Sequence, residues 1–242
     1  MRLPKIISHL ALSLPSPLLS TMAWQCSATS NTGLVDNLKH AGLISSPRVE
    51  QAMKAVDRGK YVELDPYEDS PQPIGYGATI SAPHMHASAL QYLEPFLREG
   101  DHALDVGSGS GYLVSCMARL VGTTGKVVGI DHIPELVEMG RRNIQGDDPS
   151  VFSYAELVVG DGRLGYVAEA PYAAIHVGAA AYPIPDQLID QLKSPGRMII
   201  PVGKPHGRQE LMQIDKDEEG NVHYKELMGV MFVPLTDKHK QV

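Results

Sequence analysis

The sequence predicts an α/β protein built on a doubly wound, mostly parallel sheet, closed at one edge by a C-terminal antiparallel hairpin and preceded by helices. Three observations predict it. From residue 101 onward, short apolar runs suited to buried strands alternate with amphipathic stretches, the pattern of a parallel sheet covered on both faces. The run Ala103-Leu-Asp-Val-Gly-Ser-Gly-Ser-Gly111 carries a strand into three alternating glycines, and Val127-Val-Gly-Ile-Asp131 ends a second strand on an acid. After Pro205 two strand-like segments are split by the charged turn Asp215-Lys-Asp-Glu-Glu-Gly220, so a hairpin is the simplest ending.

Each element follows in order. Residues 32–56 read as two short helices, one with an apolar stripe of Leu34, Val35, Leu38 and Ala41, the other with Val49, Met53 and Val56. Ser45-Ser-Pro47 supplies a cap and an N-terminal proline for the second. Residues 65–82 read as one long loop rich in proline and glycine, a length that usually signals function. Residues 83–97 form a helix with Met85, Ala89, Tyr92, Leu93 and Phe96 on one face. Strands are expected at 102–107, 126–131, 155–160, 172–178 and 197–202, and helices near 112–121, 134–145 and 185–193. The closing strands fall at 209–215 and 223–234.

Composition excludes several classes. The 242 residues, 43% of them hydrophobic, suffice for one full α/β domain and argue against global disorder. A net charge of −7 without a basic tract gives no electrostatic reason to expect nucleic acid. No apolar run is long enough to span a membrane. Cys26 and Cys116 make neither a disulfide framework nor a zinc spacing, and Cys116 falls in an apolar helix as a core thiol. Residues 1–21 carry Arg2 and Lys5, no acid, and an apolar run interrupted by His9, Pro15 and Pro17. They read as an extension that does not pack, with a weak secretory signal ending near Ala23 as the alternative.

The motifs point to an adenosine-type ligand. Gly107, Gly109 and Gly111 allow a tight turn and a close backbone approach, and Asp131 stands where a carboxylate grips the two ribose hydroxyls. The spacing G-x-G-x-G differs from the dinucleotide fingerprint G-x-G-x-x-G. Asp105, two residues before the first glycine, suits a cationic ligand and not a pyrophosphate. Ser81, before Ala82-Pro83, is read equally as a helix cap or as a substrate-facing hydroxyl. His176, mid-strand, reads as a satisfied core histidine; His84 and His86 read as packing or supporting groups.

From Tyr61 onward the motifs accumulate. Asp69-Ser-Pro71, Ile80-Ser-Ala-Pro-His-Met-His86, Asp105-Val-Gly-Ser-Gly-Ser-Gly111, Gly129-Ile-Asp-His132, Val159-Gly-Asp-Gly162, Ala174-Ile-His-Val-Gly-Ala-Ala-Ala181 and Pro234-Leu-Thr-Asp237 resemble the protein-L-isoaspartate (D-aspartate) O-methyltransferases, a family of class I S-adenosylmethionine-dependent methyltransferases. The resemblance covers 22–242, including a start at Met22-Ala-Trp24, and sets 1–21 apart as an addition. It implies a single Rossmann-like methyltransferase domain, with N-terminal helices and substrate loop at 22–100 and the cofactor-binding core and C-terminal strands at 101–242. The implied cofactor is S-adenosyl-L-methionine. The implied reaction methylates the free carboxylate of L-isoaspartyl and D-aspartyl residues in damaged proteins and peptides, so that a succinimide can re-form. A cytosolic monomer without nucleic-acid or membrane partners is expected, secretory routing being the alternative that residues 1–23 leave open.

Residue roles carry over by position. Ser81 corresponds to the active-site serine. Asp105, Gly107, Gly109, Asp131, Glu138, Asp161 and Gly162 correspond to cofactor contacts. Ile74, Gly75, Tyr76 and Gly77 belong to a covering loop, and Thr236 and Gln241 to C-terminal contacts that close the site. Against the pattern of mammalian members, Tyr76 replaces phenylalanine, Gly77 glutamine and Glu138 aspartate, and Gly77 removes a side chain from the cover. A substrate carboxylate, with a pKa near ~4, is already ionised at neutral pH and needs no strong base. The Ser81 hydroxyl and the backbone amides at the helix start near Pro83 are expected to hold it. The competing readings are a methyltransferase for a small acid or phenol and a non-catalytic cofactor-binding adaptor.

Overall fold

The computed structural model describes residues 26–204 and 207–241, so the extension expected at 1–21 and the start expected at Met22 lie outside the described residues. Helices α1 (Asn31–His40) and α2 (Pro47–Ala55) begin on serine caps, the Ser30 and Ser46 hydroxyls each accepting a backbone N–H. The stretch read as one long loop contains a hairpin, β1 (Gln72–Gly75) with β2 (Ala78–Ile80). Its two-residue connection, Tyr76-Gly77, has φ of +52° and +66°. That is the doubled left-handed geometry of a tight hairpin, usually signalled by Asn-Gly or Asp-Gly, and a tyrosine in first position hides it. Helix α3 (Pro83–Leu93) stops short of residue 97, because Pro95 lacks the N–H that the next turn needs and a 3₁₀ turn, Glu94–Phe96, follows.

The main sheet then forms from β3 (His102–Val106), β4 (Lys126–Asp131), β5 (Ala155–Val159), β6 (Tyr172–Val177), β7 (Leu192–Val202), β8 (Gln209–Lys216) and β9 (Val222–Val230). Helices α4 (Tyr112–Val121), α5 (Pro134–Asp147) and α6 (Asp186–Asp190) connect the parallel strands, and α7 (Lys238–Gln241) ends the described chain. The strand order is β5-β4-β3-β6-β7-β8-β9, parallel through β7 and antiparallel across β7-β8-β9. The expected alternation and edge hairpin are therefore present.

Three further boundaries differ from expectation. Helix α6 is only five residues long, and β7 starts at Leu192, five residues early. Pairing of β6 with β7 slips between Tyr172↔Leu192 and Ala174↔Arg197, so Ser194-Pro195-Gly196 forms an irregularity inside a strand. At the other end β9 stops at Val230, and the chain leaves the sheet edge to run beside Ala180, with Ala180 N–H on Val233 O and Leu235 N–H on Ala180 O, both at 2.8 Å.

Two apolar layers flank the sheet. One packs α1 to α5 through Leu34, Met53, Leu90 and Met117; the other holds Leu104, Ile130, Tyr172, Leu188 and Met198. Cys116 lies in the first layer, where burial pushes its thiol up to about 12. The chain leaves β3 towards β4 and β5, then returns to β6 on the other side of β3. This reversal opens a crevice at the carboxyl ends of β3 and β6, the usual ligand position in such sheets.

Candidate active site

The glycine turn after β3 opens the crevice. Gly107, Gly109 and Gly111 have φ of +78°, +47° and +82°, a succession that only glycine adopts without strain. Its amides meet the acid that ends β4. Gly109 N–H donates to Asp131 Oδ2 at 3.1 Å and Ile133 N–H to Oδ1 at 3.0 Å. Burial raises the Asp131 carboxyl above its ordinary value, and those two amide bonds pull it back. A carboxylate has about four lone-pair sites, so Asp131 keeps acceptors for two further hydroxyls.

Asp161, Gly162, Thr236 and Gln241 complete this cleft with Gly107, Gly109 and Asp131. Arg163 holds Asp161 through a fork, Nε to Oδ1 at 2.9 Å and Nη2 to Oδ2 at 2.6 Å, and its Nη2 also reaches Asp237 Oδ1 at 2.6 Å. Arg163 therefore lowers the Asp161 carboxyl below its ordinary value. The tail is fastened again at Gln241, whose Oε1 lies 2.7 Å from His132 Nε2 and whose Nε2 donates to Tyr76 O at 3.0 Å. A Cβ on Gly77 would stand 2.9 Å from Gln241 O, so glycine at this position lets the tail approach.

Behind the cleft lies an inner recess lined by Ser81, His86, Asp105, Ser108, Ser110 and His176. Asp105 and His176 face each other across the paired strands β3 and β6, with His176 Nδ1 2.7 Å from Asp105 Oδ1 and both side chains buried. His176 is thus satisfied, as expected, but by the acid of the glycine motif. Beside the recess runs an open groove of about 840 Å³ bounded by Pro71, Ser81, His84 and Met85 on one side and by 229–234 on the other. Ser81 belongs to both walls.

Two expectations for this region are corrected. Ser81 does not cap α3: the cap position is Ala82 and no side chain caps the helix. The amides of the first turn are also engaged. Pro83 has no N–H, His84 N–H donates to Asp69 Oδ1 at 2.9 Å, and those of Met85 and His86 go to Ala82 O at 3.0 and 3.2 Å. The Ser81 hydroxyl has no partner among the described residues and is left as the polar group at the junction.

Most expected site residues converge on this crevice. Ile74 is buried and packs against Gly109, its Cδ1 3.1 Å from where a Cβ would stand. Gly75 and Tyr76 shape the hairpin turn, where Tyr76 offers its carbonyl while its ring is exposed. Glu138 is not brought there. It lies on the exposed face of α5, 3.8 Å from Arg141 and 3.7 Å from Arg142. Sequence reasoning missed Thr79, His86, Ser108, Ser110, His132, His176 and Gly178 as lining residues. One signal was available: Leu104-Asp-Val-Gly107 and Ile175-His-Val-Gly178 share an apolar-polar-Val-Gly pattern that places Asp105 and His176 in register.

The donor set suits S-adenosyl-L-methionine: an acid with free acceptors for a ribose, a bare glycine turn, and Asp105 for a cationic amino-acid end. Among the described residues no group of three or more acids, histidines or cysteines is arranged to hold a metal.

Known proteins agree with this geometry. Residues 29–240 match the family model described as protein-L-isoaspartate(D-aspartate) O-methyltransferase. The chain is 50% identical to a Caenorhabditis elegans protein-L-isoaspartate O-methyltransferase over 91% of its own length and 98% of the relative's. It is 52% identical to the Arabidopsis thaliana protein-L-isoaspartate O-methyltransferase 2, over 89% and 71% of the two chains. A crystal structure from Plasmodium falciparum, described as this methyltransferase in complex with S-adenosyl-L-homocysteine, superposes with a TM-score of 0.80 at 36% identity, over 86% of this chain and 99% of that one. The chain belongs to the protein-L-isoaspartate(D-aspartate) O-methyltransferase family.

Proposed function

We propose that this chain is an S-adenosyl-L-methionine-dependent methyltransferase acting on isoaspartyl carboxylates in damaged proteins and peptides, the D-aspartyl linkage included. The observation that carries the reading is the position of Ser81, on the wall shared by the acid-lined recess and an open groove. When bound, the cofactor supplies an electrophilic methyl on a sulfonium.

The chain's own residues supply alignment. Asp131 accepts from the ribose, Asp161 stands near the adenine, and the glycine turn lets the ligand lie against backbone. Asp105, oriented by His176, faces the cationic amino-acid end. Ser81 donates to the incoming carboxylate and points it at the recess. The nucleophile is already ionised, so rate arises from in-line placement and from excluding water around two opposite charges. Thr236 and Gln241 serve that exclusion from the tail side.

An open groove supports an extended peptide over a small acid or phenol, which would call for a closed pocket. Its rim is apolar and accessible, with Met231 94% exposed. The net charge of −7 supports action without nucleic acid. Among the described residues no helix is long and apolar enough to cross a membrane. A monomer working in the cytosol fits these features, and sedimentation together with cell fractionation tests both points.

The functional reading is tested by incubating the protein with labelled cofactor and a peptide pair differing only in isoaspartyl against normal aspartyl linkage. Base-labile methyl ester on the isoaspartyl peptide alone is expected. Cofactor binding without transfer would support the adaptor, and equal methylation of both peptides would refute linkage recognition.

A further inference from the structure

Arg58 is fully buried at the 3₁₀ turn Arg58–Lys60, immediately after α2. Asn31, at the start of α1, braces this corner: its side-chain amide donates to Met53 O at 2.9 Å and Val56 O at 3.2 Å, and its Oδ1 accepts Arg58 N–H at 3.3 Å. Burying a guanidinium is expensive unless its donors are used. Here Nη1 lies 3.4 Å from His86 Nδ1, while Nε and Nη2 are buried with no hydrogen-bond partner among the described residues. A structural brace would engage the fork. This arginine applies a single nitrogen to a histidine of the inner recess.

The chemistry of that contact is one-directional. A guanidinium has donors and no acceptor, so the nitrogen facing it must accept, and the His86 proton must then reside on Nε2. Tyr112 fixes the ring from one face, with centroids 5.0 Å apart, and the Arg58 guanidinium lies 5.7 Å from the same Tyr112 ring. Burial, with Arg58 next, holds His86 well below its ordinary value and hence neutral. His86 Nε2 has no partner among the described residues and is not sealed off, and the ring lines the recess beside Ser108, Ser110 and the start of α4.

We infer that Arg58 is a positioning residue for cofactor binding: it locks His86 as the Nε2–H tautomer, so that a donor is aimed into the recess at the carboxylate of the cofactor's amino-acid end. The inference rests on the functional reading above only for the identity of that carboxylate. Arg58 touches neither cofactor nor substrate, and its effect passes through one ring. It also gives the N-terminal helices a role in the site, because α1 and α2 hold the corner that presents Arg58.

The test joins histidine ¹⁵N spectra of the protein with calorimetry using S-adenosyl-L-homocysteine and steady-state kinetics. Wild-type His86 is expected to carry its proton on Nε2. Arg58→Met should release that preference, raise the Kd for S-adenosylhomocysteine and the KM for S-adenosylmethionine by about tenfold, and leave the peptide KM unchanged. Arg58→Lys, which keeps a donor without an acceptor, should restore the tautomer and most of the affinity. In a His86→Gln background, where an amide donates regardless, adding Arg58→Met should change the Kd by less than about twofold. A wild-type His86 protonated on Nδ1 would overturn the inference even if Arg58→Met failed to fold. So would an Arg58→Met protein with wild-type tautomer and affinity. Tautomer-dependent binding of S-adenosylhomocysteine without methylation of isoaspartyl peptide would sink the functional reading and leave this one standing.

Discussion

Asp131 is pulled in two directions by its surroundings. Burial favours its neutral form, while the amides of Gly109 and Ile133 favour the carboxylate. Its folded value ends up raised, so the folded protein takes up this proton more readily than the unfolded chain does. The ionised form therefore costs stability progressively as pH climbs from the unfolded value through the folded one. In the role proposed for it, Asp131 accepts from the ribose in that ionised form. Affinity for S-adenosylhomocysteine should be flat near neutrality and should fall on acidification at a higher pH than an ordinary aspartate would dictate. Asp131→Asn should weaken binding by at least about tenfold at pH 7 and abolish that pH dependence. Calorimetry across pH decides, and an unchanged profile in the mutant would remove Asp131 from the ligand. Ser81 makes a different prediction because it caps nothing. Ser81→Ala should cut methyl transfer by about tenfold or more with cofactor affinity intact, and should alter unfolding free energy by less than ~0.5 kcal/mol. Loss of stability with full activity would make the hydroxyl a scaffold group.

The β1–β2 hairpin is the element whose geometry the tail depends on. Gly77 holds φ at +66° with Gln241 O close above it. Gly77→Ala should cost about 1–2 kcal/mol for the left-handed backbone and should also displace Gln241, visible as faster hydrogen exchange at 236–241. Asn at 77 should relieve the first effect and not the second. Slow exchange in the alanine variant would show that the tail does not rest on this turn. This hairpin was also the least legible element in the sequence, since Tyr76-Gly77 lacks the usual turn pair. Strands β3, β4 and β6 were legible because each is an apolar run ending at glycine or an acid and buried on both faces, while the edge strand β5 was legible from its short apolar run before Gly160. The start of β7 was not, because Ser194-Pro195-Gly196 reads as a break and is an irregularity within a strand. Within the site, the glycine turn and Asp131 could be read locally. His86 and His176 could not, since their roles depend on a helix face and on strand register. Glu138 came from family pattern alone, and its exposed position on α5 supplies no contact with the cleft.

Over the whole molecule, the tail gathers parts distant in sequence. Gln241 contacts residues 165 and 109 positions away, at Tyr76 and His132, and Asp237 meets Arg163 from 74 positions away. Lys240 and then Arg163 hold the Asp237 carboxyl down to about 2. A depressed acid contributes above its unfolded value and loses that contribution only as pH falls towards the folded one, so this fastening should persist through mild acid. Truncation after Leu235 should weaken S-adenosylhomocysteine binding by about tenfold while leaving a cooperative unfolding transition, since every strand of the sheet ends earlier. Calorimetry and thermal melts on the truncated protein check this, and wild-type affinity would take Thr236 and Gln241 out of the site.

The tail that closes the crevice is made after every strand that builds it. Ribosomes add about 5–20 residues per second and release the chain from its N-terminal side. A tethered nascent chain can thus assemble β3 to β6, the glycine turn and Asp131 while Asp237 and Gln241 have yet to be translated. Birth order thus separates building the crevice from closing it. Ligand binding stabilises by mass action whatever form binds it, so a chain whose tail has yet to emerge is expected to gain less from cofactor than one whose tail is in place.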